Sequence, residues 1–279
     1  MSPDAVLVDG MPAAHLSVLD RGLHYGDGVF ETIACRQGRA RFLALHLQRL
    51  MRGCDRLAIA RPDTEQLRAE IEQLAHQAAP ALIKLIVTRG NATARGYAPR
   101  GDERSTRLLL RYPWPEDSSQ AHDGINARVG QLKLGENPAL AGIKHLNRLE
   151  QVLARSEVDA SGALETLLFS SSGRLISGTM SNVFLVRDNR VATPRLDVCG
   201  VEGIMRGIVM REGARTQHGI EECVLSRADL DAAEEIFLTN ARIGIWPVRA
   251  LDGRLFTPGR ITRGLQRLLQ PLLEEPRDG

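Results

Sequence analysis

The sequence predicts an α/β (α+β) protein of two domains, a smaller N-terminal α/β domain and a larger C-terminal domain with a barrel-like sheet. Three observations carry that prediction. The 279 residues hold enough material for two domains of ordinary size. The run Pro113-Trp114-Pro115-Glu116-Asp117-Ser118-Ser119-Gln120 has the composition of a linker. Beyond it, short apolar runs follow one another between turn pairs, the pattern of a curled sheet or barrel. The domains are therefore expected over residues 1–115 and 121–279, with the linker at 116–120.

In the first domain, Val6-Leu7-Val8 reads as a strand that turns at Asp9-Gly10, a common hairpin pair. Gly22, Gly26 and Gly28 mark a tight glycine-rich loop ahead of a strand from Val29 to Cys35. A dinucleotide fingerprint runs from strand through glycines into helix, the opposite order, so a Rossmann site is excluded here. Leu43, Leu47, Leu50, Met51, Cys54 and Leu57 recur at helical spacing and place Arg49 on a helix beside its apolar stripe. A second helix follows Asp63-Thr64, with Leu67, Ile71, Leu74 and Ala75 as its buried face. Strands from Ala81 to Val87 and from Arg107 to Tyr112 flank a long loop containing Arg89, Arg95, Tyr97 and Arg100. Loops of this length inside a domain are often functional. Its arginines suit carboxylate recognition and equally suit plain solvation.

In the second domain, Ile125 to Leu134 reads as a strand and Asn147 to about Asp159 as a helix with Leu146, Leu149, Val152 and Leu153 on one side. Strands over Glu165 to Ser170, Arg174 to Ser177 and Asn182 to Arg187 are joined by turns at Ser172-Gly173 and Asp188-Asn189. Gly200 to Arg206 leads into a helix through Ile208 and Val209. The start of that helix offers unpaired N–H groups and a positive dipole end, an anion site in waiting, although most helix starts meet only water or a capping side chain. Glu235 to Thr239 is a strand that ends in the polar pair Thr239-Asn240, and a last amphipathic helix carries Ile261, Leu265, Leu268 and Leu269.

Composition excludes several classes of function. The net charge of +2 and the 4% aromatic content, with arginines scattered among acids, argue against a nucleic-acid surface. Cys35, Cys54, Cys199 and Cys223 are far apart, form no Cys-x-x-Cys pair and sit in apolar settings, as reduced thiols of a cytoplasmic protein do. No metal-ligand cluster is visible. Nor is there a leader pattern or a run of the ~20 apolar residues that a membrane span needs. A soluble, cytoplasmic protein with a small-molecule substrate is expected.

Only three of the 36 basic residues are lysines, Lys84, Lys133 and Lys144. Where charge alone is wanted, this chain uses arginine. A lysine kept in that background can do what a guanidinium does not, namely lose a proton, act as a base and form an imine with an aldehyde. Lys84 and Lys133 fall in strands, where a long side chain snorkels from one face. Lys144 instead follows the loop Gly135-Glu136-Asn137-Pro138 and precedes the helical pattern, a junction that holds a side chain and still lets it reach a pocket. Spacing alone also allows an ordinary exposed charge.

Taken together, Gly26-Asp27-Gly28-Val29-Phe30-Glu31, Arg49 in its helix, Thr88-Arg89-Gly90, Lys144 before a helix, Ser181-Asn182-Val183-Phe184 and Gly203-Ile204-Met205-Arg206 resemble the class IV aminotransferase family. Members of that family are fold type IV enzymes that use pyridoxal 5'-phosphate. Within it, the run from Asn137 to Leu153, centred on Gly142-Ile143-Lys144-His145-Leu146-Asn147-Arg148-Leu149-Glu150-Gln151, is similar to the lyase branch. That branch converts 4-amino-4-deoxychorismate to 4-aminobenzoate and pyruvate in folate synthesis. A D-amino-acid or branched-chain aminotransferase is the second reading, and a non-catalytic cofactor-binding relative the reading from another class.

The resemblance implies that Lys144 forms the imine with the cofactor aldehyde, is displaced by the substrate amine, and then takes the proton at the amine-bearing carbon. It implies that Arg49 binds the cofactor phosphate with the backbone N–H groups of Ile204 and Met205 and with Thr239 and Asn240. Arg95, Tyr97 and Glu31 fall on the substrate side, and the protein is expected to be a homodimer. One departure matters. Most relatives carry Glu-Gly where this chain has Ser177-Gly178, so Ser177 stands in the place of the carboxylate that pairs with the pyridine nitrogen of the cofactor. A hydroxyl there makes a weaker electron sink, which suits elimination better than full transamination.

Overall fold

The apolar runs of the first 115 residues become six strands in a computed structural model, which describes residues 2–76, 79–115, 124–157 and 162–274. They are β1 (Ala5–Val8), β2 (Met11–Pro12), β3 (Gly28–Arg36), β4 (Arg39–Ala40), β5 (Ala81–Thr88) and β6 (Thr106–Pro113). They pair throughout as antiparallel neighbours in the order β2-β1-β6-β5-β3-β4. The β1–β2 turn uses Asp9 and Gly10, with φ of 50° and 83°. Two successive left-handed residues give the turn a twist that matches its strands, which is why Asp-Gly marks such hairpins.

Helices α1 (Arg21–Tyr25), α2 (Leu43–Arg56) and α3 (Thr64–Ala75) belong to the same unit. The α3 start is capped as its sequence predicts: the Asp63 side chain accepts a hydrogen bond from the Gln66 N–H at 2.8 Å. Leu67, Ile71, Leu74 and Ala75 form its buried face, as expected. With Leu47 and Leu50 of α2 they close over Ile33, Ile83, Leu85 and Leu109 of the sheet. Burying each such side chain contributes about 1.5–3 kcal/mol.

The glycine-rich loop expected before β3 is in part the short helix α1. Asp20 caps it by accepting from the Gly22 N–H at 2.7 Å, and Gly26 ends it in the left-handed conformation. The sequence signal was the aspartate two residues ahead of the first glycine.

The second unit is a curled sheet of nine strands: β7 (Ile125–Leu134), β8 (Glu165–Ser170), β9 (Leu175–Gly178), β10 (Asn182–Arg187), β11 (Arg190–Pro194), β12 (Ile220–Cys223), β13 (Glu235–Asn240), β14 (Gly244–Leu251) and β15 (Arg254–Leu255). Their order is β12-β11-β10-β13-β14-β7-β8-β9, with β15 on β14. Its helices are α4 (Leu149–Ser156), α5 (Ile204–Gly213), α6 (Arg227–Asp231) and α7 (Arg260–Glu274). The fold is a mixed α/β one with a curled half-barrel sheet, as expected. β14 went unread because Pro247 interrupts it, yet that proline sits opposite Phe237 in the ladder.

Leu149, Val152 and Leu153, which their spacing puts on one side of α4, are 76%, 61% and 58% exposed. The helix lays its other side inward, where the small Ala154 meets Leu134 and Leu168. Leu268 of α7 is exposed, while Ile261, Leu265 and Leu269 are buried.

By contact density, residues 2–115 and Ile143–Asn147 make one compact unit, and 124–142 with 148–274 make the other. The segment containing Lys144 thus groups with the first unit, although it was expected in the C-terminal domain. The reason is backbone pairing to β3, described below. The expected linker at 116–120 lies outside the described residues. Among the described residues, no helix is long and apolar enough to cross a membrane.

Candidate active site

Lys144 is held by its backbone. Its carbonyl accepts a hydrogen bond from the Phe30 N–H at 2.9 Å, the Leu146 N–H donates to the Gly28 carbonyl at 3.0 Å, and Val29 and His145 form a bridge. Asn147 adds a side-chain bond from Nδ2 to the Gly26 carbonyl at 3.2 Å. Residues 144–146 are therefore pinned to the start of β3 by an isolated bridge and its two flanking hydrogen bonds. The Lys144 Nζ lies 4.3 Å from the centre of the Phe30 ring. Lys84 of β5 comes within 5.6 Å of the same ring. Two of the three lysines thus converge on one aromatic side chain.

Side chains alternate across a strand, so Glu31 points away from Phe30 and into the interface with α2. There the carboxylate is fully buried. Its Oε1 accepts from Arg49 Nε at 2.7 Å, and its Oε2 from Arg49 Nη2 at 2.5 Å and His46 Nδ1 at 2.7 Å. His46 and Arg49 reach it together because residues three apart share one helix face. Burial alone would push the Glu31 pKa up, but the charges and hydrogen bonds of Arg49 and His46 outweigh it and hold it down to about 2. His46 is itself driven toward the neutral form, first by burial and then by the charges of Arg49 and Lys144, against the pull of Glu31. The expected substrate-side role of Glu31 does not fit this placement, because its oxygens are spent on Arg49 and His46 in a closed interface.

The loop from Arg89 to Arg104 holds the remaining first-unit candidates. Arg89 is buried, forks onto Asp27, and donates to the carbonyls of Leu57 and Ala58 at 2.6 Å each. It stitches the fold together and is not available to a ligand. Arg95 and Tyr97 are exposed, Tyr97 at 83%. Arg21 anchors the loop backbone beneath them, donating to the carbonyls of Gly96 at 3.2 Å and Tyr97 at 2.7 Å. The Tyr97 ring rests against Tyr25, with ring centres 5.3 Å apart.

In the second unit, a separate group of candidates shares one hydrogen-bonded frame. Asn182 is paired with Thr239 across β10 and β13, and its Nδ2 donates to the Val201 carbonyl at 2.9 Å. That bond ties the segment before α5 to the sheet. Gly203 begins α5 with no side-chain cap, so the N–H groups of Ile204 and Met205 lead the helix. A Cβ at Gly203 would come within 2.0 Å of Asn182 Oδ1, so only glycine lets the two approach. Gly203→Ala is expected to cost about 1–3 kcal/mol in urea unfolding as the helix start shifts.

Thr239 is fully buried, and its Oγ1 donates to the Gly244 carbonyl at 2.6 Å. Asn240 donates from Nδ2 to the Met180 carbonyl at 3.1 Å and accepts from the N–H groups of Arg242 and Ile243 at 3.0 Å. Ser177, near the end of β9, donates its hydroxyl proton to the Gly178 carbonyl at 2.9 Å. The buried carboxylate beside this segment is Glu165. It accepts from the N–H groups of Thr166, Thr179 and Met180 and from the hydroxyls of Thr179 and Ser181. Glu165 organises the turn from Thr179 to Ser181, and its lone pairs are committed there.

Sequence reasoning missed Phe30, His46, Asn182 and Glu165 as parts of this machinery. The spacing of His46 and Arg49 on one helix was the available signal for His46. Nothing local marked Glu165, whose donors apart from the adjacent Thr166 N–H lie 14 to 16 residues away in sequence.

A family model described as amino-transferase class IV matches residues 28–251. The chain is 31% identical to the aminodeoxychorismate lyase of Vibrio harveyi over 93% of this chain and 97% of that one. It is similar to the crystal structure of 4-amino-4-deoxychorismate lyase from Pseudomonas aeruginosa, with a TM-score of 0.92 and 44% identity, covering 97% of this chain and all of that one. The fold is also that of a hypothetical aminotransferase from Mycobacterium tuberculosis solved in its PLP-bound form, with a TM-score of 0.79 and 22% identity over 98% of this chain and 100% of that one.

Proposed function

Because this chain belongs to the class IV aminotransferase family, we propose that it is a lyase dependent on pyridoxal 5'-phosphate that converts 4-amino-4-deoxychorismate to 4-aminobenzoate and pyruvate. The observation that carries this reading is the 44% identity, over nearly the whole of both chains, to the Pseudomonas lyase. When bound, the cofactor supplies an aldehyde for condensation with an amine and a ring that accepts electron density.

The residues suit such a group. Lys144 supplies the amine, from a backbone pinned to β3. Arg49 supplies a guanidinium whose plane is set by Glu31. The uncapped start of α5 supplies backbone N–H groups and a dipole end in a cradle that a Cβ at Gly203 would fill. Phosphate carries about two negative charges near neutral pH, which a charge-assisted fork and a helix start both favour. Thr239 and Asn240 shape the turn beside that cradle through their bonds to Gly244 and Met180. Arg95 and Tyr97 are assigned to the substrate side on the family resemblance, and their exposure on the loop is compatible with contact to a ligand.

Within the reaction, Lys144 Nζ takes the proton from the amine-bearing carbon and holds it for the departing enolpyruvyl oxygen. The enolpyruvate released becomes pyruvate, and the ring left behind is aromatic. Aromatisation drives the elimination, so Lys144 needs chiefly to be placed correctly for the proton transfer. Ser177 stands where relatives place a carboxylate, and its proton is already given to Gly178. Glu165 does not substitute, since its oxygens are committed to the turn that follows. A weak partner for the pyridine nitrogen favours elimination over a long-lived carbanion. Ser177→Glu is therefore expected to raise the share of transamination relative to 4-aminobenzoate release. An unchanged ratio under identical conditions would remove Ser177 from the account.

Homodimerisation and a cytoplasmic location are part of the proposal. The exposed Leu149, Val152 and Leu153 on α4 suit burial against a second copy. Leu153→Asp is expected to shift the protein from dimer to monomer in light scattering, and a dimer that persists would move the interface elsewhere. The four cysteines are free, with burial pushing Cys35 up to about 12 and Cys54 up to about 11. Thiols so protonated are slow to oxidise. The test of the function itself is direct: purified protein given 4-amino-4-deoxychorismate should release 4-aminobenzoate and pyruvate in equal amounts.

A further inference from the structure

His46 has no part in the chemistry assigned above, yet it is among the most deeply buried polar side chains of the first unit, at 1% exposure. Among the described residues its side chain hydrogen-bonds to Glu31, through Nδ1. Nε2 is buried as well and has no hydrogen-bond partner. Glu31 is ionised and can only accept, so the ring must carry its proton on Nδ1 and leave Nε2 as a bare lone pair. The structure thus keeps an imidazole in a closed interface for a single polar bond.

That bond has one geometric consequence. Oε2 of Glu31 is shared between His46 Nδ1 at 2.7 Å and Arg49 Nη2 at 2.5 Å, while Oε1 takes Arg49 Nε at 2.7 Å. An arginine and a carboxylate alone form a planar fork that can swing as a unit about both side chains. A third donor, fixed to the same helix as the arginine, removes that freedom. Because it is neutral, His46 adds no second cation to draw Glu31 away from Arg49.

We propose that His46 is a positioning residue for the anion-binding arginine: its Nδ1–H fixes the Glu31 carboxylate, and that carboxylate fixes the plane of the Arg49 guanidinium. The inference rests on the reading of Arg49 as the phosphate ligand. His46 itself touches neither cofactor nor substrate, and its contribution is to affinity for the phosphate group.

The test measures dissociation constants of the apo protein for pyridoxal 5'-phosphate and for pyridoxal, which lacks the phosphate. His46→Leu is expected to weaken binding of the phosphorylated compound about tenfold and to leave that of pyridoxal close to wild type. His46→Asn places an amide N–H where Nδ1 was and is expected to bind both compounds as the wild type does. Should His46→Leu not fold, His46→Gln, whose amide falls at the Nε2 position, takes its place and is expected to show the same selective loss.

Loss of affinity for both compounds alike, no loss for either, or an equal loss in His46→Asn would overturn the inference. Arg49→Met is the accompanying measurement. If it causes no selective loss of the phosphorylated compound, the reading of Arg49 fails and takes the inference with it. If it does while His46→Leu does not, the inference alone fails.

Discussion

Replacing Lys144 with alanine is expected to lower 4-aminobenzoate release by about 10,000-fold and to abolish the absorbance of a lysine-bound cofactor. General acid–base assistance accounts for about 100- to 10,000-fold in enzymes, and Lys144 is proposed to serve as base, acid and point of covalent attachment together. Effects of one group in several roles compound, so the upper end is expected. Lys84 provides the control. Its Nζ is 5.6 Å from the centre of the same Phe30 ring, so it shares that aromatic neighbour, but it reaches the ring from β5, where it stands opposite Thr32 of β3, and not from the segment before α4 that carries Lys144. Lys84→Met is expected to retain the lysine-bound absorbance, and its loss there would mean that the wrong lysine had been chosen.

Removing Glu31 is expected to have the largest effect on stability. Glu31→Leu leaves Arg49 and His46 buried beside an apolar side chain, and breaking a buried ion pair from one side costs about 3–5 kcal/mol. Urea unfolding should register that loss. The same carboxylate predicts an acid limb. Its pKa is about 2 in the folded protein against a usual 4.5, so the unfolded chain binds the proton more readily. The stabilisation is complete above about pH 4.5, is lost as pH falls toward 2, and amounts to about 3 kcal/mol.

His46 acts in the same direction but earlier. Its folded pKa lies below the usual 6.5, so its contribution is complete above that value and declines as pH falls beneath it. Stability should therefore begin to fall below about pH 6.5 and fall further below 4.5. His46→Asn should remove the first decline and keep the second, a difference that unfolding midpoints across pH would reveal.

Much of the fold was legible because periodicity and packing agreed. The α3 stripe of Leu67, Ile71 and Leu74 faces the sheet as its spacing demands. The strands β5, β8 and β10 occupy the runs that predict them. Legibility failed where a local pattern served another end. The α4 leucines keep helical spacing yet face outward, because apolar spacing marks a face for burial without saying what covers it. In the candidate site, the rarity of lysine and the junction before α4 mark Lys144 as a candidate, and its proposed role as the cofactor lysine comes from the family resemblance. Glu31 was misjudged because strand alternation, which turns it to α2 while Phe30 meets the lysine, depends on a partner helix whose placement no local pattern gives. Asn182 and Glu165 act through residues distant in sequence, Val201 and the turn from Thr179 to Ser181, and only the folded chain brings these together.

The central claim is that Lys144 drives a lyase reaction. It is tested most directly by incubating wild-type and Lys144→Ala proteins, each loaded with pyridoxal 5'-phosphate, with 4-amino-4-deoxychorismate and following 4-aminobenzoate by its fluorescence. The account predicts 4-aminobenzoate and pyruvate in equal amounts from the wild type and none above background from the variant. Product formed equally by both proteins, or by neither while the wild type transaminates D-alanine or a branched-chain amino acid, would contradict it.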